Sequence, residues 1–244
     1  MEIVKGKEVK PQIIMLSGVP GVGKSTFAAN APEALFLQLE EGVSHLDVHK
    51  TKLLGSWNEV KEALRFLGTQ QHSYKWLIVD TVTRLQDLID AQVCSENGVD
   101  SIAKIPYGKG PSYTQNYWIE LMKMLRYLRD SRGLNTILVA HVELKPFQDP
   151  ETETYDKYGP ALHKNVSAFM IQECDAVLFA RYHVRTKEVD KGFGRTETKA
   201  LRNASRVLRC NDGPTATAKN RYGMPDEIAL DWNEFSGFLP NGVC

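Results

Sequence analysis

Short apolar runs alternate along this chain with segments in which apolar residues recur every three or four positions. The apolar runs predict buried strands at 13–16, 34–39, 75–80, 136–140 and 175–180. Strands that are buried on both faces have this continuous apolar character, whereas apolar and polar residues alternate in strands with one face exposed to solvent. The regular exchange of strands and helical segments therefore predicts an α/β fold, with a mostly parallel sheet and helices on both of its faces.

The segments between these runs predict the helices. Ser56 followed by Glu59 has the spacing of a capping box, and Trp57, Val60 and Leu64 then recur at helical spacing. Other helices are predicted at 26–31, 85–93, 117–129 and 166–173. The chain beyond residue 181 predicts antiparallel strands with a turn at 211–214.

Two stretches without a periodic pattern, 97–114 and 142–164, are predicted to be long loops. Loops of this length in a compact domain are usually functional or disordered. Ligands of open α/β sheets bind beyond the carboxyl ends of the strands, so both loops are expected near a ligand. We predict a single domain over 1–244, with a core at about 10–182 and an antiparallel extension at about 183–244.

The segment GVPGVGKST at 18–26 fits the pattern G-x-x-x-x-G-K-[ST] of a nucleotide-binding P-loop. Its glycines allow backbone N–H groups to surround phosphate oxygens, and the predicted helix that follows adds the partial positive charge of its N-terminus. Lys24 is placed for the β- and γ-phosphates and Ser25 for Mg²⁺, so the expected cofactors are ATP and Mg²⁺. The residues predicted to bind them are Gly18, Val19, Pro20, Gly21, Val22, Gly23, Lys24, Ser25 and Thr26.

Polar residues follow three of the predicted strands. Asp80 ends an apolar strand, as a Walker B aspartate does, and is predicted to hold Mg²⁺ together with Ser25. Glu40 and Glu41 follow the strand after the P-loop helix, and either one is placed to position the attacking water. His141 follows the strand 136–140 and is a candidate for sensing the γ-phosphate and passing that signal to the next loop.

Lys219 and Arg221 occupy alternate positions, so they share one face if the segment is extended. We predict that they reach the γ-phosphate bound by a neighbouring subunit, as arginine fingers do when they are supplied in trans. A solvated basic strand is the alternative interpretation.

The two predicted loops combine cations with aromatic residues. This combination suits single-stranded nucleic acid, because cations follow the phosphates while rings stack on the bases. The second loop also contains several acidic residues, so its composition fits a mobile surface loop equally well. The candidate DNA-binding residues are Lys104, Tyr107, Lys109, Tyr113, Lys145, Phe147, Lys157, Tyr158 and Lys164.

Charge and cysteine content narrow the possible partners and location. The 30 Lys and Arg residues balance the 30 Asp and Glu residues, so a nucleic-acid contact has to come from a local patch or from several subunits. The four cysteines form no C-x-x-C pair, which predicts reduced thiols in a cytoplasmic protein. The chain shows no signal peptide and no apolar segment long enough to span a bilayer, so we expect no membrane partner.

These motifs together resemble the RecA recombinase core, and more closely the small phage-encoded RecA-like ATPases of the Sak type, which are associated with single-strand annealing. The sequence FLQLE at 36–40 is similar to the family's strand that ends in the catalytic glutamate, which favours Glu40 over Glu41. LVAH at 138–141 is similar to the strand that ends in the γ-phosphate sensor, a glutamine in RecA itself. KNR at 219–221 resembles the element that supplies cations between subunits of RecA filaments.

The resemblance covers residues 10–239 and implies an ATPase that binds single-stranded DNA as an oligomer and pairs or anneals strands in phage recombination. It also implies that the two long loops are the DNA-binding loops. By this comparison we expect no counterpart of RecA's N-terminal helix and strand or of its C-terminal DNA-gathering domain, and we expect subunits of a ring or filament to contact each other differently.

A single-strand-binding protein is a further candidate partner, and the expected cytoplasm is that of a bacterial host if the protein is phage-encoded. Two other functions stay open. One is a nucleotide-controlled assembly factor for replication or packaging, without DNA-stimulated turnover. The other is a small-molecule P-loop kinase, which the lack of clustered lid arginines disfavours.

Overall fold

The computed structural model describes residues 3, 5, 6, 8–151, 153–190 and 196–240, and it describes their side chains except at 184–190 and 196–204. The strands of this part are β1 (Ile13–Gly18), β2 (Ala34–Gln38), β3 (His49–Lys50), β4 (Trp76–Asp80), β5 (Asn135–Ala140), β6 (Val142–Phe147), β7 (Tyr155–Pro160), β8 (Ala176–Asp190), β9 (Thr196–Arg209) and β10 (Glu227–Ala229). The helices are α1 (Lys24–Ala28), α2 (Trp57–Thr69), α3 (Val82–Asn97), α4 (Gly110–Arg132), α5 (Lys164–Glu173) and α6 (Trp232–Ser236).

One sheet contains eight of these strands in the order β10-β9-β8-β1-β5-β4-β2-β3. β1 is parallel to both of its neighbours, with Leu16 opposite Val139 of β5 and Leu178 of β8. β4 is parallel to β5 and β2, so the carboxyl ends of β1, β2, β4 and β5 meet at one edge. β9 and β10 are antiparallel additions. The predicted fold class, a mostly parallel α/β sheet with antiparallel C-terminal strands, is confirmed.

Two apolar clusters cover the two faces of the sheet, as the continuous apolar strands predicted. Alternate residues of β1 enter different clusters, Met15 one and Leu16 the other. α2, α3, α4 and α5 pack over the first cluster. α1 and α6 cover the second, where the ring of Phe27 lies 5.5 Å from the rings of both Trp232 and Phe235.

The prediction of a structureless second loop at 142–164 is wrong, because β6 and β7 form an antiparallel hairpin there. Contacts with distant residues hold this hairpin on the body of the protein. The ring of Tyr158 stacks on Phe179 with centroids 5.3 Å apart, and its backbone pairs with Thr215 and Thr217. The hairpin is therefore fixed by tertiary contacts, which leave no clear pattern in the local sequence.

Several predicted boundaries are also wrong. α4 begins at Gly110 and not at 117, so Tyr113 belongs to its first turn. A Cβ at Gly110 would lie 2.4 Å from the carbonyl oxygen of Ile102, and only glycine allows this close approach. β8 continues past the predicted strand end at 180 to Asp190, and it pairs with β9 as a two-stranded antiparallel ribbon. The predicted cap of α2 is confirmed, since the Ser56 side chain accepts a hydrogen bond from the Glu59 N–H at 3.3 Å.

Within the described ranges, Cys94, Cys174 and Cys210 are free thiols, while Cys244 lies outside them. Burial raises the pKa of the Cys174 and Cys210 thiols to about 12, so both stay protonated and unreactive at neutral pH. No helix in the described part of the chain has both the length and the apolar composition needed to cross a bilayer.

Candidate nucleotide-binding site

Three glycines of the P-loop are required by its geometry. Gly18 ends β1, where a Cβ would lie 2.4 Å from the carbonyl oxygen of Ala180 in β8. Gly21 and Gly23 have φ values of 72° and 99°, which L side chains rarely adopt. The loop therefore turns sharply out of β1 and enters α1 at Lys24, with the first N–H groups of the helix unpaired within it.

Lys24 is buried at the start of α1. Its Nζ donates hydrogen bonds to the carbonyl oxygens of Gly18 at 2.9 Å and Val19 at 3.3 Å. Burial lowers the pKa of the amine, while the nearby carboxylates of Asp80 and Glu40 oppose that shift. Because its hydrogen-bond partners are neutral carbonyls, the positive charge stays available to a phosphate.

Asp80 and Ser25, the two residues predicted to hold Mg²⁺, are in contact with each other. The Ser25 hydroxyl donates to Asp80 Oδ2 at 2.7 Å, and Asp80 is only 3% exposed. Burial raises the pKa of the Asp80 carboxyl, and the hydrogen bond from Ser25 counteracts this. Hydroxyl and carboxylate oxygens are the ligands that Mg²⁺ prefers, and a cation would relieve the burial of the charge. These residues fit Mg²⁺.

Glu40 faces this pair across the cavity and contacts His141. The Nε2 of His141 lies 3.2 Å from Glu40 Oε1, and this hydrogen bond is the main cause that lowers the pKa of the Glu40 carboxyl. Glu40 is therefore ionised at neutral pH, as a base or water-positioning group has to be. Glu41 is exposed and begins a 3₁₀ turn over Glu41–Val43.

The backbone of His141 is held between two elements. Its N–H donates to the Thr83 hydroxyl in the first turn of α3 at 3.0 Å, and its carbonyl accepts from Ala161 N–H at 2.9 Å. Ala161 directly follows β7. The side chain that touches Glu40 is thus joined through its backbone to both ends of the β6–β7 hairpin.

These groups surround one cavity of about 340 Å³. Sequence reasoning had not assigned His45 and Gly42 to it, since both lie in an irregular segment without a motif. The residues that line the cavity are Pro20, Gly21, Gly23, Lys24, Ser25, Thr26, Glu40, Gly42, His45, Asp80, Thr81 and His141. The P-loop, the metal pair, the acid and the histidine predicted from sequence therefore share one space.

Lys219 and Arg221 lie at the opposite edge of the sheet. Lys219 Nζ donates to three carbonyl oxygens at the end of α5, those of Ile171, Gln172 and Cys174, at 3.0, 2.7 and 2.7 Å. Arg221 pairs at 3.1 Å with Asp175, which precedes β8, and its side chain is 54% exposed. Neither cation reaches the P-loop of its own chain, so a role in catalysis would have to be in trans, and that role stays a prediction.

The first predicted DNA-binding loop presents its residues to solvent. Tyr107 is 93% exposed at the tip of a 3₁₀ turn, with a φ of 59°. Lys109 Nζ lies 5.9 Å from the centre of the Tyr107 ring, and Lys104 makes an exposed ion pair with Asp100 at 2.7 Å. Lys164 is exposed at the start of α5. An exposed ring between cations can stack on a base.

The second predicted loop differs, because several of its candidates are occupied by the fold. Lys157 is buried and pairs with Asp212 at 2.8 Å, while Lys145 Nζ donates to the carbonyl oxygens of Pro160 and Leu162. Tyr158 is stacked on Phe179, as described above. These contacts argue against a DNA role for Lys145, Lys157 and Tyr158. Phe147 stays 41% exposed and lies under the Lys157 amine at 5.0 Å.

The mostly parallel sheet and the P-loop site define a P-loop nucleotide-binding protein. Residues 10–222 match a family profile described as an AAA domain, and the chain belongs to that family. Solved structures similar to this chain include the RadB recombinase, with a TM-score of 0.46 and 9% identity over 82% of this chain and 80% of that chain. A similarity of that size carries no argument about activity. No curated protein matches the sequence.

Proposed function

We propose that this protein hydrolyses ATP with Mg²⁺ at the interface between its subunits and uses that reaction to bind single-stranded DNA for strand pairing or annealing, as the phage Sak-type ATPases that it resembles do. The observation that carries the proposal is the contact of Ser25 with Asp80 at 2.7 Å beside Lys24, with Glu40 across the same cavity. A nucleotide-binding protein without catalysis does not require a carboxylate opposite the phosphate site.

Each side chain has a definite task in this reaction. The Lys24 amine and the P-loop N–H groups bind phosphate oxygens, and Ser25 and Asp80 are the residues that would hold Mg²⁺. Bound Mg²⁺ neutralises charge on the phosphate oxygens. Glu40 orients the attacking water and accepts its proton. His141, in contact with Glu40, passes the presence of the γ-phosphate to the β6–β7 hairpin through its backbone bond with Ala161.

The DNA contact is assigned to the first loop and the start of α5. Tyr107 supplies an exposed stacking surface with the Lys109 amine 5.9 Å from the centre of its ring, and Lys104 and Lys164 supply further exposed cations. Contacts of this kind recognise phosphates and ring faces, so we expect little dependence on base sequence. Because the net charge of the chain is zero, the attraction comes from this local patch, and we expect several subunits along one strand to strengthen it.

Steady-state ATP hydrolysis with and without single-stranded DNA tests this function. Stimulation by single strands, and a weaker response to duplex of the same length, is the expected result. Turnover that does not respond to DNA would contradict the proposal and favour the nucleotide-controlled assembly factor.

The Arg221→Ala variant is expected to lower turnover about 100-fold or more, because a trans cation stabilises charge on the transferred phosphoryl group. ATP affinity of the isolated subunit should be unchanged, since Arg221 is remote from the P-loop of its own chain. Arg65→Ala, which removes an exposed arginine from α2, is the control. Unchanged turnover of the Arg221 variant would disprove the trans role.

A further inference from the structure

The β8–β9 ribbon is the antiparallel pair formed by residues 181–190 and 196–207. The base of this ribbon, formed by Tyr182 and Arg206, lies against the outside of the P-loop. Tyr182 of β8 and Arg206 of β9 are directly opposite each other in the strand register. Tyr182 Oη donates to the carbonyl oxygen of Gly21 at 2.8 Å, and Arg206 Nη1 donates to that of Val22 at 3.3 Å. Neither residue belongs to the P-loop motif or lines the nucleotide cavity.

These two bonds act on consecutive peptide units of the P-loop. The carbonyls of Gly21 and Val22 share their peptide units with the N–H groups of Val22 and Gly23. A donor on a carbonyl fixes the orientation of the unit and strengthens its N–H as a donor. A Cβ at Gly23 would lie 2.5 Å from Arg206 Nη1, so the guanidinium packs directly on this glycine. The ribbon base therefore fixes two peptide units of the loop that lines the nucleotide cavity at Gly21 and Gly23.

Beyond this base the two strands place most of their cations at positions that share one face. At positions 184–190 and 196–205, Lys or Arg occurs at 185, 187, 199 and 202, and Asp or Glu at 188, 190 and 197. The register places Lys187 opposite Lys199 and Arg185 opposite Leu201, so positions 185, 187 and 199 share one face of the ribbon. Glu197 shares that face, so three cationic positions accompany one acidic position there, and a cationic face is complementary to the phosphates of a nucleic-acid backbone.

We infer that the β8–β9 ribbon is a second contact for the nucleic-acid backbone, and that Tyr182 and Arg206 couple this contact to phosphate binding at the P-loop. The inference rests on the proposed function and extends it to an element that neither predicted DNA-binding loop contains. A strand of phosphates on the ribbon changes the position of its base. That base holds the Gly21 and Val22 carbonyls, so DNA binding alters ATP affinity.

The first experiment tests the DNA contact with the double variant Lys187→Ser/Lys199→Ser and fluorescent oligothymidylate. Affinity is measured by anisotropy at several salt concentrations. Each phosphate contact contributes about 0.7 to the slope of log affinity against log salt for single strands, so losing two contacts lowers the slope by about 1.4. Lys52→Ser/Lys123→Ser makes the same charge change at exposed positions elsewhere and should keep the wild-type slope.

The outcomes separate the two proposals. A slope equal to that of the control double variant overturns the ribbon contact, while wild-type binding leaves the proposed function intact. If the wild-type protein itself does not bind oligothymidylate, the proposed function fails first, and the inference fails with it.

The second experiment tests the coupling through the affinity for a fluorescent ATP analogue, with and without oligothymidylate. Arg206→Gln should weaken analogue binding about tenfold, because a charged donor to the P-loop is lost, and should abolish the effect of DNA on that affinity. Arg206→Lys keeps a cationic donor and should recover part of both. Tyr182→Phe removes only the hydroxyl and serves if the arginine variants fold poorly. A DNA effect of wild-type size in Arg206→Gln and Tyr182→Phe overturns the coupling.

Discussion

Replacement of Lys24 by alanine is expected to lower ATP turnover by about 100-fold or more, since the loss of one preorganised charge at a reacting group costs about that much. Lys24 is buried, and its amine is held only by the carbonyls of Gly18 and Val19, so no other group of the P-loop supplies a mobile positive charge to the phosphates. Phosphate release under saturating ATP measures the effect.

Lys75→Ala is the matched control, because Lys75 is exposed just before β4, at the opposite end of that strand from Asp80. Its turnover should equal that of the wild type. Wild-type turnover in the Lys24 variant, with an unchanged melting temperature, would show that the P-loop is not the site of hydrolysis.

Glu40→Gln is expected to lower turnover by about 100-fold to 1000-fold and to leave ATP binding intact, because an amide cannot accept the proton of the attacking water. Glu41→Gln changes the same charge one residue later and should have little effect, since Glu41 is exposed and does not line the cavity. Single-turnover hydrolysis and analogue binding separate chemistry from affinity. A loss that occurs in Glu41→Gln and not in Glu40→Gln would assign the role to Glu41.

The pH profile provides a second test of Glu40. The hydrogen bond with His141 lowers the pKa of the Glu40 carboxyl, so its ionised form persists to lower pH than in an ordinary glutamate. Turnover should fall as the pH drops through this lowered pKa. His141→Ala removes the bond, and the acid limb of the profile should then move to higher pH. An acid limb at the same pH in both proteins would contradict this contact in the active state.

The sequence by itself determined the features that depend on residues close together in the chain, namely the central strands and the P-loop. Apolar runs predicted the five central strands because each is buried on both faces, and the P-loop pattern predicted a nucleotide site because its glycines have a fixed local geometry. Polar residues directly after strands predicted Asp80, Glu40 and His141 as neighbours, since parallel strands end at one edge. The cavity contains all three.

Only the tertiary structure decided which cations are available for ligands. The sequence does not distinguish Lys157 and Lys219 from Lys104 and Arg221. Lys157 is buried against Asp212 and Lys219 is held by the carbonyls at the end of α5, whereas the ion pairs of Lys104 and Arg221 leave both side chains exposed. These partners lie 55 and more than 40 residues away in the chain.

The position of the β6–β7 hairpin and the hydrogen bonds of Tyr182 and Arg206 to the P-loop likewise depend on contacts between residues far apart in the sequence. Tyr182 meets Gly21 across 161 residues of sequence, and Arg206 meets Val22 across 184. Local spacing reports which face of a strand or helix a residue occupies. Contacts between elements form only when the elements pack together in the folded protein, and the periodicity of either segment alone does not predict them.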